Sequence, residues 1–338
     1  MSKERIWHGG DLDKARRLFP EAPEPWIDLS TGINPIPYPL PDLPPHLFER
    51  LPSPRAQMDL EVVAAEAYGA VDAATVMAAP GTQVLINLLP VLWPRSQVAV
   101  LAPTYAEHAH AWRMARHQVT EAASLEQAEN ADIVVLVNPN NPDGRVLKRC
   151  MLLGLSERLR QRGGWLVIDE AFADFESDES LVPHLPENAV ILRSFGKTYG
   201  LAGLRLGFAI AASETVMRLR RILGPWAVSG PAIAVGKQAL LDRDWRDAAQ
   251  QARDADARRL DALLGPVSDQ VPRGTTLYRL IESRHASDLF AHLGRRGIWV
   301  RRFEYNPRIL RLGLPGSEAA WTRLGEAIAA FRNAKESE

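Results

Sequence analysis

Between about residues 46 and 232, short apolar, β-rich runs alternate with helical patterns, and nothing else in the chain constrains its fold as much. The runs are VAVLAP, DIVVLVNP, WLVIDEAF, VILRSF and LRLGFAIA. Such alternation implies βαβ units, because parallel neighbours need a long crossover and a helix normally supplies it. The expected core is an α/β arrangement: a mainly parallel sheet with ligands at the carboxyl ends of its strands. A chain of 338 residues is too long for one small core, so two domains are expected. Residues 1–45, with PEAPEPW and NPIPYPLPDLPP, read as an irregular N-terminal arm lying over a site. Residues 46–232 form the large domain. A long helical pattern from 233 to about 264 stops at Gly265-Pro266 and links to a smaller C-terminal α/β domain ending at 338. The tail RNAKESE is expected to fray.

Three chemically distinctive residues each follow one of these runs. Asn141 lies in NPNNPDG (138–144), Asp169 ends GWLVID, and Lys197 lies in SFGKTYG (194–200). Arg205 follows eight residues after Lys197, in GLAGLRLGF. A lysine at a strand end, with an aspartate, a turn asparagine and an arginine in this order, reads as a pyridoxal 5'-phosphate site. That cofactor is held as a Schiff base on a lysine amine, which fits Lys197. Its ring nitrogen must stay protonated, and a neighbouring carboxylate favours the protonated form, which fits Asp169. Its phosphate is a dianion that seeks N–H groups at a helix start, hydroxyls and a guanidinium. Gly81-Thr82-Gln83, Ser194 and Arg205 supply these in turn. Asn141 can donate to the phenolic ring oxygen, and Tyr105, in APTYAEH, can lay its ring on the cofactor face.

Over roughly residues 78–210 this set of motifs resembles the class I/II aminotransferase superfamily, the pyridoxal-phosphate enzymes of fold type I. The resemblance implies Lys197 as the Schiff-base lysine, Asp169 as partner of the pyridine nitrogen and Asn141 as holder of the ring oxygen. It implies Thr82, Gln83, Ser194 and Arg205 at the cofactor phosphate. Arg311, in ILRLGLP, stands where the family's substrate-carboxylate arginine lies. It also implies a homodimer. Two positions depart from the pattern. The family often has a tyrosine three residues after the aspartate, where this chain has Phe172; Asn141 is left as the ring-oxygen donor, and the proton affinity of the Schiff base should change. A family Tyr-Pro that reaches the neighbouring subunit's cofactor is Leu51-Pro52 here.

Cofactor residues alone do not fix the reaction. The arm carries WHGGDL (7–12) and DLSTGINPIPYP (28–39), which resemble the threonine-phosphate decarboxylases of the cobalamin pathway. His8-Gly9-Gly10 with Ser30-Thr31-Gly32 offers an imidazole, hydroxyls and backbone N–H groups to a substrate phosphate. The expectation is decarboxylation of threonine phosphate, with His8, Thr31 and Gly32 at its phosphate and Arg311 and Asn141 at its carboxylate. The alternative is a histidinol-phosphate-type aminotransferase, which shares nearly every cofactor residue.

Other classes find little support. Net charge is −1, from 40 basic and 41 acidic side chains, which gives no argument for nucleic acid or a membrane surface. The arginines of 295–311 read as a solvated face plus ligands for an anionic substrate. The longest apolar stretch, VLINLLPVLW (84–93), is too short to span a bilayer. A single cysteine, Cys150, forbids an intramolecular disulfide and fits a reducing cytoplasm, as does a charged start without an apolar signal core. His108, His110 and His117 suggest metal ligands, but on a helix His108 and His110 point to different faces, so no metal is expected. No helix-turn-helix pattern precedes residue 46, which counts against a pyridoxal-sensing regulator.

Overall fold

The computed structural model describes residues 8–337, apart from the Ser177 side chain; Trp7, the charged start before it and Glu338 lie outside the described residues. The chain divides into two compact units. The larger comprises Pro37–Asn141 and Arg145–Asp247; the smaller comprises the described residues up to Ile36, Pro142–Gly144 and those from Ala248 onward. Among the described residues thirteen strands occur: β1 (Ile27–Asp28), β2 (Val76–Ala79), β3 (Gln97–Leu101), β4 (Gln118–Ala122), β5 (Ile133–Val137), β6 (Trp165–Asp169), β7 (Ala189–Ser194), β8 (Gly207–Ala211), β9 (Arg273–Thr275), β10 (Tyr278–Glu282), β11 (Ile298–Trp299), β12 (Arg301–Phe303) and β13 (Asn306–Gly313).

The larger unit is built on a seven-stranded sheet in the order β2-β8-β7-β6-β5-β3-β4. The pairs β3–β4, β3–β5, β5–β6 and β6–β7 are parallel, as the alternating pattern predicts. Strands β5, β6 and β7 are buried along almost their whole length, which is why they read as continuous apolar runs. The exception is β8, antiparallel to both β7 and β2. Its connection from β7 holds only two single-turn helices, Phe195–Thr198 and Ala202–Leu204, too little for a crossover, so the chain turns back. This reversal matters for the site. It brings the start of β8, preceded by Arg205, to the edge where β2, β6 and β7 end: Gly207 pairs with both Ala79 and Ser194.

The smaller unit holds an antiparallel four-stranded sheet, β12-β13-β10-β9, and a parallel pair, β1 with β11. Leu29, Leu260, Leu289, Ile298, Leu312 and Leu324 are among its core.

Three local expectations need correction. The arm is not wholly irregular: Leu12–Leu18 is helical, started by Asp11, whose Oδ1 accepts the Lys14 N–H at 2.9 Å. The pattern of 233–264 is two helices, Gly230–Leu241 and Arg243–Leu264. Between them Asp242 accepts the Trp245 N–H on Oδ1 and the Tyr38 hydroxyl on Oδ2, both at 3.0 Å. The tail does not fray at Arg332: the helix Glu318–Glu336 runs through most of it, anchored by Trp321, Leu324, Ile328 and Phe331. No helix among the described residues is long and apolar enough to cross a membrane.

Candidate active site

Lys197 lies half-buried in the one-turn helix after β7, and its Nζ sits over the Phe172 ring, 5.7 Å from the centroid. Phe172, in the turn after β6, is buried, so the residue that departs from the expected tyrosine lies against Lys197. Ser194 ends β7 at the head of the same helix; it is buried, and its hydroxyl makes no capping bond there.

Asp169 is 4% exposed at the end of β6. Its Oδ2 accepts from His108 Nε2 at 2.9 Å and its Oδ1 from the Ala171 N–H at 3.0 Å. A carboxylate held at both oxygens has a fixed orientation, and each oxygen keeps a lone pair for a further donor. His108 is the functional residue that reading the sequence missed. It stands on helix Glu107–Met114, three positions after Tyr105, and the rings of the two meet edge to face at 6.1 Å. Its position three residues after Tyr105 was the one local hint, and it does not point to Asp169. The Tyr105 hydroxyl donates to Gln83 Oε1 at 3.0 Å, and Gln83 Nε2 lies 3.4 Å from Glu107 Oε2. The Gln83 side chain is thus engaged with the Tyr105 segment, leaving its backbone N–H as the group an anion would meet.

Gly81, with φ +89°, precedes helix Thr82–Leu88. A Cβ built on it would fall 2.6 Å from Arg205 Nη2, so the guanidinium lies directly against the turn that opens the helix. Arg205 itself adopts φ +56°, a left-handed conformation that disfavours any residue with a Cβ, and its Nη1 donates to Ala202 O at 3.1 Å. On the other side of the turn, a Cβ at Gly207 would fall 2.7 Å from the Thr82 nitrogen. Asn141 is half-buried beside Asn140, whose Oδ1 accepts from Thr104 Oγ1 at 2.7 Å and whose Nδ2 donates to Pro103 O at 3.0 Å.

In the smaller unit, Arg311 on β13 is 7% exposed. Its Nη2 donates to Ser30 O at 2.9 Å, its guanidinium lies over the Tyr278 ring at 4.9 Å, and Arg301 is its neighbour across β12. Ser30 also donates from Oγ to Asp28 at 2.6 Å and accepts the Gly10 N–H at 2.7 Å. One compact knot therefore gathers Gly10, Ser30 and Arg311, with Thr31 and Gly32 following directly. His8 is exposed at the start of the described chain.

The family model for class I and II aminotransferases matches residues 46–328. The chain is 43% identical over 331 residues to the threonine-phosphate decarboxylase of Pseudomonas aeruginosa, covering 96% of this chain and 98% of that one. It is 40% identical over 329 residues to the threonine-phosphate decarboxylase of a Sinorhizobium species, with the same coverage. The structure of histidinol-phosphate aminotransferase from Sinorhizobium meliloti in complex with pyridoxal-5'-phosphate superposes with a TM-score of 0.80 at 18% identity, over 97% of this chain and 96% of that one. With a family model over most of its length and two relatives at 40% identity or more, this chain belongs to the class I and II aminotransferase family.

Proposed function

We propose that the protein decarboxylates L-threonine phosphate to aminopropanol phosphate, a step of cobalamin synthesis, with pyridoxal 5'-phosphate as cofactor. The observation that carries this reading is identity of 40–43% to two threonine-phosphate decarboxylases over nearly the whole chain, a span that takes in the N-terminal arm as well as the cofactor residues. The residues of the larger unit fit the cofactor. A guanidinium against a helix-opening turn suits its phosphate, a doubly held carboxylate suits its ring nitrogen, and a half-buried lysine suits its aldehyde. When bound, the cofactor supplies an electron sink for the pair released as the substrate's carboxylate departs.

The chain's own groups do the rest. Lys197 would hold the cofactor and would carry a proton to the substrate α-carbon. Asp169, oriented by His108, would keep a proton on the ring nitrogen. Arg205 and the N–H groups after Gly81 would hold the cofactor phosphate, with the Ser194 hydroxyl, and Asn141 would donate to the ring oxygen. Arg311 takes the substrate carboxylate, and His8, Thr31 and Gly32 take the substrate phosphate. The test is product analysis on cofactor-loaded protein given threonine phosphate and no keto acid. Carbon dioxide with aminopropanol phosphate over many turnovers is the expected result. Amino transfer from histidinol phosphate to 2-oxoglutarate, without carbon dioxide, would move the protein to the aminotransferase reading that its cofactor residues also suit.

The phosphate cradle makes its own prediction. Gly81→Ala places a methyl carbon 2.6 Å from Arg205 Nη2, in a backbone conformation that disfavours a side chain. The guanidinium must withdraw. A charge-assisted hydrogen bond contributes about 1.5–3 kcal/mol, so the dissociation constant for pyridoxal phosphate should rise at least about tenfold. Fluorescence titration of cofactor-free protein measures it.

The protein is further proposed to act as a homodimer in the cytoplasm. Phe48 and Leu51 are 67% and 68% exposed, apolar surface that a second copy would cover. Sedimentation of the holoprotein should give twice the 37.4 kDa chain mass; a monomer would remove this part of the reading.

A further inference from the structure

Behind the lysine lies a buried charged cluster that the reaction scheme does not use. Arg193, on β7, is 2% exposed. Its Nη2 stands 3.1 Å from Glu170 Oε2 and donates to Ser180 Oγ at 2.9 Å, while its Nη1 donates to Asp174 Oδ1 at 2.7 Å. Glu170 also accepts from Ser180 Oγ at 2.7 Å and from the Leu181 N–H at 2.9 Å, and the Tyr68 ring covers the guanidinium at 5.0 Å. Two carboxylates therefore share one guanidinium, and burial pushes both carboxyls above their usual range against the pull of Arg193.

The placement of those carboxylates is the informative part. Glu170 and Asp174 bracket Phe172, two positions to either side, in a turn that belongs to neither helix nor strand. Such a turn has no ladder to fix the direction of its side chains. Asp174 in addition meets the hydroxyl of Thr198, the residue after Lys197. Both partners of the Phe172–Lys197 contact are thus tied to the same Arg193–Asp174 pair.

We propose that Arg193 is a positioning residue: by gripping Glu170 and Asp174 it holds the Phe172 ring against the Lys197 amine, and so sets how readily that nitrogen carries its proton. The inference rests on Lys197 being the lysine that bears the cofactor. A ring face attracts a cation, so the contact favours the protonated nitrogen. Other charged groups near this edge are Asp169 with His108, Arg205, and Arg246, which acts on Asp174. They stay constant across the variants below.

The experiment follows the visible absorption of cofactor-loaded protein against pH in the native chain, in Phe172→Leu, Arg193→Lys and Asp174→Asn, and in the double variant Phe172→Leu with Asp174→Asn. Leucine keeps the site apolar but removes the ring face. A cation–ring contact is worth about 0.5–2 kcal/mol, so Phe172→Leu should lower the midpoint by about half a unit or more. Arg193→Lys and Asp174→Asn should lower it in the same direction, and the double variant should fall no further than Phe172→Leu alone, because both changes act through one contact. Midpoints left at the native value while melting temperatures fall would reduce the cluster to a structural role and overturn the proposal. So would a double variant whose shift is the sum of the single ones. If the native protein shows no lysine-bound visible band at all, the assignment of Lys197 fails instead.

Discussion

Lys197→Ala will lower the rate of carbon dioxide release by at least about 10³-fold, since a positioned proton carrier alone contributes about 10²–10⁴-fold. The proposed scheme gives the lysine two tasks: its amine would tether the cofactor, and it would carry a proton to the substrate α-carbon. Alanine removes both without disturbing the fold, because Lys197 is half-buried in a one-turn helix whose neighbours Phe195, Thr198 and Tyr199 supply the packing. Two readouts separate the tasks. The lysine-dependent visible band should vanish and the cofactor should become removable by dialysis, which reports the tether. Added methylamine should restore part of the rate, which reports the proton transfer. Turnover above a tenth of the native rate in the unsupplemented variant would show that another group carries the proton.

Much of this site was legible because its residues announce themselves locally. Asp169 ends a buried strand, Asn141 and Lys197 follow others, and strands of a parallel sheet deliver their carboxyl ends to one edge. The arrival of Arg205 at that edge was not legible, because it depends on β8 turning back, and in the sequence β8 reads as one more apolar run. His108 was hidden by distance: its partner Asp169 lies 61 residues further along the chain, and no spacing rule joins them. Arg193 offered a clue that went unused. A charged residue inside the apolar run VILRSF must be paired if that strand is buried on both faces, and its partners Glu170 and Asp174 lie in the turn after the preceding strand. The turn Pro142–Gly144 groups with the smaller unit, where a Cβ on Gly144 would fall 2.2 Å from Gly274 O. A turn sequence predicts its own shape but not which unit receives it. The break between the helices at Asp242 was equally hidden, since both helices keep an apolar face and only the capping role of Asp242 marks the join.

Asp169→Ala should be nearly as damaging as loss of the lysine, and a companion variant shows why. The carboxylate is 4% exposed, so a ring nitrogen brought beside it would meet its charge where water screens little. A buried opposite charge shifts a partner's proton affinity by about 1–3 units. At 1.36 kcal/mol per unit, the upper end is about 4 kcal/mol, or a rate loss of about 10³-fold if the ring must be protonated for the carboxylate of the substrate to leave. Asp169→Asn discriminates between charge and geometry. Asparagine can still accept the Ala171 N–H on its carbonyl oxygen, and its amide can meet His108 after a change of tautomer, so the local bonding survives while the negative charge does not. If charge is the contribution, Asn and Ala variants should both lose about 10³-fold in kcat with the KM for threonine phosphate nearly unchanged, since the proposed role of Asp169 is toward the cofactor and not the substrate. If Asp169→Asn instead kept most of the native rate, the aspartate would serve only to orient the ring and the electron-sink argument for this position would fall.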